Sequence, residues 1–596
     1  VRSSTTFMLT GSADPPPGLF RFDEKGQVKF QIILIQNRLY KPTGLSQRFL
    51  NLYDPLKKKM LYSEAEEIFE HMKKRSKELT KDPGLRGRTS VAPLTKMGLA
   101  IAKYSSGNIM ITELGNAYLN NKIDIGETYF RFFIKWQIPN PDSDDYSKEE
   151  GYDIKPFIGA LHLINKVNER EFSRGKEPKG LSREEFKLFV PSLVNYKDID
   201  SYADRIIELR KQLDGKNRKE KKKITSEYER KFISNFVGTT NVIPVEKIIN
   251  NLDDYGDNTI RYFRLTRYLY IRGNGHYIDT EPRREIEIKN LLAHDNSKSK
   301  EFTSKEEYLE YISDISQPRL PWETKGKYLE IIKKLIEDIG TYEIKLGLEK
   351  VNRVKYASLQ NNELKSYIEK LRTYRRDLQE KENHIFSQSI VNVKEYIASL
   401  ENIYSKEDSA IALEKYISLG LNALNDALKI KPNYPVGDDN EPTFTAPGGK
   451  PDIECFYTHF NSICEVTMLK GRDQWYNEGQ PVMRHLRDFE DCDKSKKAYC
   501  IFIAPSIHRD TINTFWTAVK YEYEGSKQKI IPLSISQFID ILEILIKLKE
   551  SGKMLSHKTI EGLYIKILDI SKINDSSRWL ETIPTRVEEW KKEILV

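Results

Sequence analysis

The chain has 596 residues, too many for one hydrophobic core, so three or four domains are expected. Its 96 Lys and Arg against 88 Asp and Glu leave a net charge of +8, a mild basic excess that proves no partner by itself. With 39% hydrophobic and 31% charged residues, and no apolar run of membrane-spanning length, the composition points to a soluble globular protein and away from a membrane one.

Residues 1–20 are polar, contain Pro15-Pro16-Pro17, and read as a loose entry without the basic-then-apolar pattern of a secretory signal. Residues 30–37 predict a short strand and 63–79 a helix. The basic loop Leu85-Arg86-Gly87-Arg88-Thr89-Ser90 follows. Residues 94–104 read as helix or strand. A Ser-Ser-Gly-Asn turn at 105–108, a strand at 109–111 and a helix from Thr112 to Leu119 then suggest a winged helix with the turn as its wing tip. A similar pattern returns at 258–278, around the turn Gly273-Asn274-Gly275. Lys216 to Lys223 carries six basic residues and one acid and is expected to be a mobile arm; a solvated charge run is the bland alternative. From 283 to 400 charge and leucine dominate, and 325–349 and 363–382 show the three- and four-residue steps of amphipathic helices.

The last 200 or so residues change character. A helix is expected over 406–428, strands at 453–457, 462–467, 498–504 and 529–534, and a helix over 536–549. That describes a mixed sheet flanked by helices, with Ala498 to Ala504 as a central buried strand. Four cysteines, Cys455, Cys464, Cys492 and Cys500, form no CxxC pair; buried reduced thiols in a cytosolic protein are the expectation.

Two acids carry the chemistry. Asp452 follows a proline and leads into an apolar strand. Glu465 sits between Cys464 and Val466 on the next strand, where an unpaired acid is costly. Acids on neighbouring strands can converge on one divalent cation, and Mg²⁺ wants oxygen ligands. A cation held by Asp452, Glu465 and the Val466 carbonyl would activate water and neutralise charge on a phosphodiester. Lys470 and Arg484 are candidate phosphate contacts. Glu478 and His485 stand seven residues apart and share a face if one helix spans them. His485 can relay a proton or orient a carboxylate. Glu414, on the preceding helix, can reach the cluster. The bland alternatives are a capping carboxylate at Asp452, an ion pair at Glu465, a structural His485 and an exposed Glu414.

The pattern Pro451-Asp452, Glu465-Val466-Thr467, Lys470-Gly471, Gln474, Glu478 and Pro481-Val482-x-Arg484-His485 resembles the catalytic core of the AlwI family of type IIS restriction endonucleases, some of which nick one strand. Phe502-Ile503-Ala504-Pro505 and Ile530-Ile531-Pro532-Leu533-Ser534 continue the likeness. So do Arg88-x-x-Val91-Ala92-Pro93, Ile111-Thr112-Glu113-x-Gly115, Phe133-x-Lys135-Trp136-Gln137-x-Pro139 and Arg261-Tyr262-Phe263-Arg264. The resemblance implies a multidomain α+β protein of FokI-like plan. Residues 1–282 would be a DNA-recognition region of two winged-helix-like lobes (about 1–140 and 141–282). Residues 283–400 would be a helical linker, and 401–596 a PD-(D/E)XK nuclease domain with a mixed sheet. It implies Asp452, Glu465 and the Val466 carbonyl as metal ligands, with Glu414, Glu478 and His485 on positions associated with the site. Thr467 stands where the broader superfamily has Lys. Positive charge must then come from Lys470, Arg484 or a second metal, which leaves one or two Mg²⁺ ions open, with Mn²⁺ as a substitute.

For recognition, Arg86, Arg88, Thr89 and Ser90 offer guanine and phosphate contacts, Lys216 and Lys219 backbone contacts, and Arg261, Arg264 and Arg267 a further stripe interleaved with tyrosines. Double-stranded DNA is the expected partner, with a homodimer or a small nuclease subunit for the second strand, no membrane, no nucleotide cofactor, and a bacterial cytoplasmic location. The competing reading is a winged-helix regulator or architectural DNA binder with a degenerate nuclease domain.

Overall fold

The computed structural model describes residues 94–101, 110–120, 122–142, 147–149, 151–237, 245–272, 276–349, 355–406, 408–424, 427–447, 449–570 and 572–595. The strand expected over 30–37, the helix over 63–79 and the basic loop at 85–90 lie outside the described residues. The chain divides into two compact units: Val1–Lys334 with Val354–Ile368 and Gly437–Asp439, and Leu335–Arg353 with Glu369–Val436 and Asn440–Val596. Among the described residues no helix is long and apolar enough to cross a membrane.

The first unit opens with a two-stranded antiparallel pair, β1 (Ala100–Ile101) and β2 (Met110–Ile111). Helix α1 (Glu113–Leu119) starts where the Thr112 hydroxyl accepts from Gly115 N–H. Then come α2 (Ile125–Phe133), α3 (Pro156–Ser173), β3 (Leu181–Ser182) and α4 (Arg183–Phe189), the last begun by a reciprocal Ser182–Glu185 capping box. α5 (Ile199–Leu213), α6 (Arg218–Val237) and α7 (Val245–Leu265) follow. The hairpin of β4 (Leu269–Arg272) and β5 (Tyr277–Thr280) joins β3 in a three-stranded sheet of order β3-β5-β4. α8 (Glu285–His294) and α9 (Lys305–Ser313) complete the series.

Aromatic residues of α2 build this unit's core. Phe130 stacks on Tyr268 at 4.2 Å, and Phe133 meets Phe263 edge-on at 5.0 Å. Just beyond α2, Lys135 is fully buried. Its ammonium donates to the carbonyls of Tyr311, Ile312 and Asp314 at 3.2, 2.9 and 2.7 Å, so its three donors are all used within the protein.

Helices α10 (Lys325–Lys345) and α11 (Asn361–Ser387) each begin in residues of the first unit and end in residues of the second. Both answer the amphipathic spacing. The second unit continues with α12 (Ile390–Glu401), α13 (Ser409–Ala423), β6 (Lys429–Pro432), β7 (Ile453–Phe456), β8 (Phe460–Val466) and α14 (Gly471–Cys492). It ends with β9 (Lys497–Ala504), α15 (Arg509–Lys520), β10 (Ile530–Ser534), α16 (Ile535–Glu550), α17 (His557–Leu568) and α18 (Ser576–Leu595). The expected helix over 406–428 stops earlier, and its last residues lead into β6, an edge strand whose Pro432 suits an edge.

The five strands run in the order β10-β9-β8-β7-β6. β10, β9 and β8 are parallel, and β7 and β6 turn back antiparallel, so the sheet is mixed as expected. Every residue of β9 after Lys497 is buried, which requires cover on both faces. In this arrangement the C-terminal ends of β8 and β9 and the N-terminal end of β7 lie at one edge. Open sheets bind ligands at such an edge.

Candidate active site

The ladder between β7 and β8 pairs Ile453 with Cys464 and Glu454 with Ile463. Continued by one residue, it sets Asp452 beside Glu465. Paired residues project to the same face, so both carboxylates stand on one side of the sheet. Hydrogen bonds brace them reciprocally. Val466 N–H donates to Asp452 Oδ2 at 2.8 Å, and the Asp452 N–H holds the Glu465 carboxylate. Glu465 is buried among apolar neighbours on β8.

Helix α14 supplies the next layer. It spans Glu478 and His485 without a break, although Pro481 lies between them. His485 Nδ1 lies 2.8 Å from Glu465 Oε1. Glu478 hydrogen-bonds the side chain of Thr467, the residue that stands where a lysine was expected. Thr467 is itself tied down, donating its N–H to the Ile503 carbonyl at 3.0 Å. Glu414, on α13, is buried and accepts from Ala446 N–H at 2.8 Å. Its charge reaches Glu465.

Four carboxylates thus share one neighbourhood. Burial first, then the charge of Glu465, pushes Asp452 well above the usual carboxylate range. Burial and Glu478 do the same to Glu465, and burial raises Glu478. Burial and the nearby Arg484 push His485 down to about 4.

The chemistry of these oxygen donors is of the kind a divalent cation takes. Among the described residues no Lys or Arg forms an ion pair with Asp452, Glu465 or Glu478, and His485 is the basic side chain that touches the cluster, at Glu465. Among the described residues no group of three or more His, Cys, Asp or Glu side chains is placed so as to hold a metal ion, so side chains alone do not complete a site. Two carboxylates plus backbone oxygen and water is the usual way protein holds Mg²⁺. Asp452, Glu465 and the Val466 carbonyl are the donors in that reading.

A family model for the AlwI restriction endonucleases matches residues 95–541, from before β1 to within α16. The chain belongs to the AlwI restriction endonuclease family. It is accordingly a site-specific deoxyribonuclease. Among curated proteins none matches the chain. Three solved structures are similar at low identity. The small subunit of the heterodimeric restriction endonuclease R.BspD6I shares 22% identity, with 33% of this chain and 98% of that one covered, at a TM-score of 0.29. The BpuJ1 endonuclease binding domain, in complex with pyrene- and phenanthrene-modified DNA, shares 15% over 46% and 92%, at 0.30. Restriction endonuclease FokI shares 12% over 80% and 82%, at 0.22.

The other residues expected to serve this AlwI-family enzyme fall in different settings. Lys470 is exposed, its ammonium 4.2 Å from the Tyr404 ring centroid, and Arg484 is exposed on α14 beside His485. Arg86, Arg88, Thr89 and Ser90 lie outside the described residues. Lys216 and Lys219 are exposed, but the mobile arm is corrected: Arg218 onward is the start of a 20-residue helix, α6. Lysine and glutamate are good helix formers, and Asn217 and Glu220 cap its start by exchanging side-chain bonds with each other's N–H. The arginine stripe is occupied internally. Arg261 pairs with Asp257 at 2.6 Å, Arg264 is 7% exposed, and Arg267 pairs with Asp124 at 2.6 Å. Arg261 and Arg267 are thus engaged within the first unit in this conformation.

The resemblance pattern includes Gln474 without giving it a role; it is fully buried on α14. Its amide donates to the carbonyls of Leu469 and Ser506 at 3.0 and 2.8 Å, and its carbonyl accepts from His508 N–H at 2.8 Å. It ties together the segments leaving β8 and β9. The signal available was its place one helical turn before Glu478.

Proposed function

We propose that the chain is a type IIS restriction endonuclease whose second unit hydrolyses DNA phosphodiester bonds with Mg²⁺, a short distance outside an asymmetric sequence read by residues 1–282. The observation that carries this is the β7–β8 register, which sets half-buried Asp452 and buried Glu465 on one face of the sheet edge, with no Lys or Arg ion-paired to either among the described residues. A bound cation would supply charge neutralisation on the phosphate and a more acidic water. Asp452 and Glu465 hold it together with the Val466 carbonyl. His485 orients Glu465 through Nδ1. Glu478, its proton affinity raised by burial, takes or returns a proton at the margin of the site. Thr467 brings no charge, so Lys470 and Arg484 are the groups that meet the phosphate. The exposed lysines at the start of α6 follow the backbone, and residues 283–400 join reading to cutting. Family membership disfavours an architectural DNA binder.

The test is Asp452→Ala assayed on supercoiled plasmid with Mg²⁺, beside binding to a duplex bearing the site. Cleavage is expected to vanish with binding retained; normal cutting by the variant would refute the assignment. With the unmodified enzyme, nicked circles against linear product show whether the chain alone cuts one strand or both. Dependence on enzyme concentration, or on an added small nuclease subunit, shows how the second strand is cut.

A further inference from the structure

On the side of α14 that faces α15, one turn from Glu478, the indole of Trp475 is held from two directions and yet left open. Its Nε1 donates to Thr514 Oγ1 at 3.1 Å. Its ring lies over Gly479, where an added Cβ would come within 3.3 Å of it. Even so the residue is 44% exposed. An aromatic fixed in one orientation has little entropy left to lose when something packs on its open face.

The surroundings are polar and basic. Lys470, the residue before α14, rests over the ring of Tyr404, which is 58% exposed. Arg472 is exposed two residues further on, with Asp473 beside it. Carboxylates repel a phosphodiester, so a strand approaching Asp452, Glu465 and Glu478 needs cations nearby. Aromatic rings receive the sugar and base faces of a nucleic acid, and Lys and Arg receive its phosphates.

We propose that Trp475, together with the Lys470–Tyr404 pair, seats the DNA strand that carries the scissile bond. This rests on the nuclease reading of the adjoining carboxylates. The contact is local to the bond being cut, whereas affinity comes from the recognition region. Losing the ring therefore slows the bond-breaking step and leaves site binding nearly unchanged.

Trp475→Ala is expected to lower the single-turnover cleavage rate by about 10-fold, with duplex affinity within about 2-fold and Trp475→Phe retaining most of the rate. Thermal melting of both variants controls for damage to α14. Independently, Asp452→Ala protein is photocrosslinked to duplexes carrying 5-iododeoxyuridine at successive positions around the mapped cut. A crosslink on Trp475 at the cut supports the proposal. Absence of any crosslink there together with an unchanged rate in Trp475→Ala overturns it. So does a rate loss that disappears at high enzyme concentration, which would assign the ring to a protein interface. Crosslinking needs no cleavage. Normal cutting by Asp452→Ala would thus condemn the carboxylate assignment separately from the seating surface.

Discussion

Burial raises the proton affinity of Asp452, Glu465 and Glu478; the charges of Glu465 and Glu478 add to it at Asp452, and that of Glu478 at Glu465, with no lysine or arginine ion-paired to them among the described residues. Such an arrangement is costly for folding, and it makes sense where a cation will arrive. A milder case of the same physics lies in the first unit. Burial and the charges of Asp253 and Glu246 raise Glu229 to about 7, at the wall of a cavity of about 560 Å³ lined also by Glu184 and Asp253. A raised carboxyl binds its proton more tightly in the folded than in the unfolded state. Its contribution to stability is therefore complete below about pH 4.5 and is lost as the pH rises toward about 7. Glu229→Gln should remove that slope and stabilise the protein above neutrality by roughly 1–2 kcal/mol, after allowance for partial exposure. Melting curves of both proteins between acid and neutral pH check this; parallel curves would contradict it.

At the scale of elements, α14 does most of the positioning. Gln474, Glu478 and His485 recur at steps of four and seven along one side of it, so fixing its first turn sets the height of the other two. Gln474 fixes that turn by using its whole carboxamide on three backbone groups. Gln474→Leu keeps a similar volume and leaves those groups without partners, a loss of about 2–4 kcal/mol. Gln474→Glu should lose nearly as much, because a carboxylate cannot donate to the Leu469 and Ser506 carbonyls. Calorimetry on both variants measures it, and a glutamate variant as stable as the parent would mean that the donated bonds contribute little. The strands and the second helix of this region were legible beforehand, since apolar runs and alternation are local patterns. β6 was hidden because its Lys-Ile-Lys-Pro sequence carries no such pattern and pairs only because β7 lies beside it.

For the whole molecule, the net charge of +8 matters less than where the cations stand. Arg261 and Arg267 are engaged by acids of their own unit, and Arg170 and Arg210 likewise. The exposed lysines at the start of α6 are different, since few acids answer them. Replacing Lys219 and Lys222 together by alanine should weaken binding to specific and non-specific DNA alike, and reduce the dependence of log K on log salt by about one to two. A salt titration of both duplexes measures this. An unchanged slope would remove α6 from the interface.

The sequence alone determined four of the sheet's five strands, singled out the two acids, and showed the spacing that puts Glu478 and His485 on one side of a helix. Each of these depends on periods of two or 3.6 residues, which the backbone imposes locally. It also carried the family, because the matching residues recur in order along most of the chain. Only the tertiary structure decided that Asp452 lies beside Glu465, that Glu414 approaches from α13, and that Arg267 is held by Asp124. Those are pairings between residues 13 to 143 positions apart. Packing of whole elements selects such partners, and no local pattern records the choice.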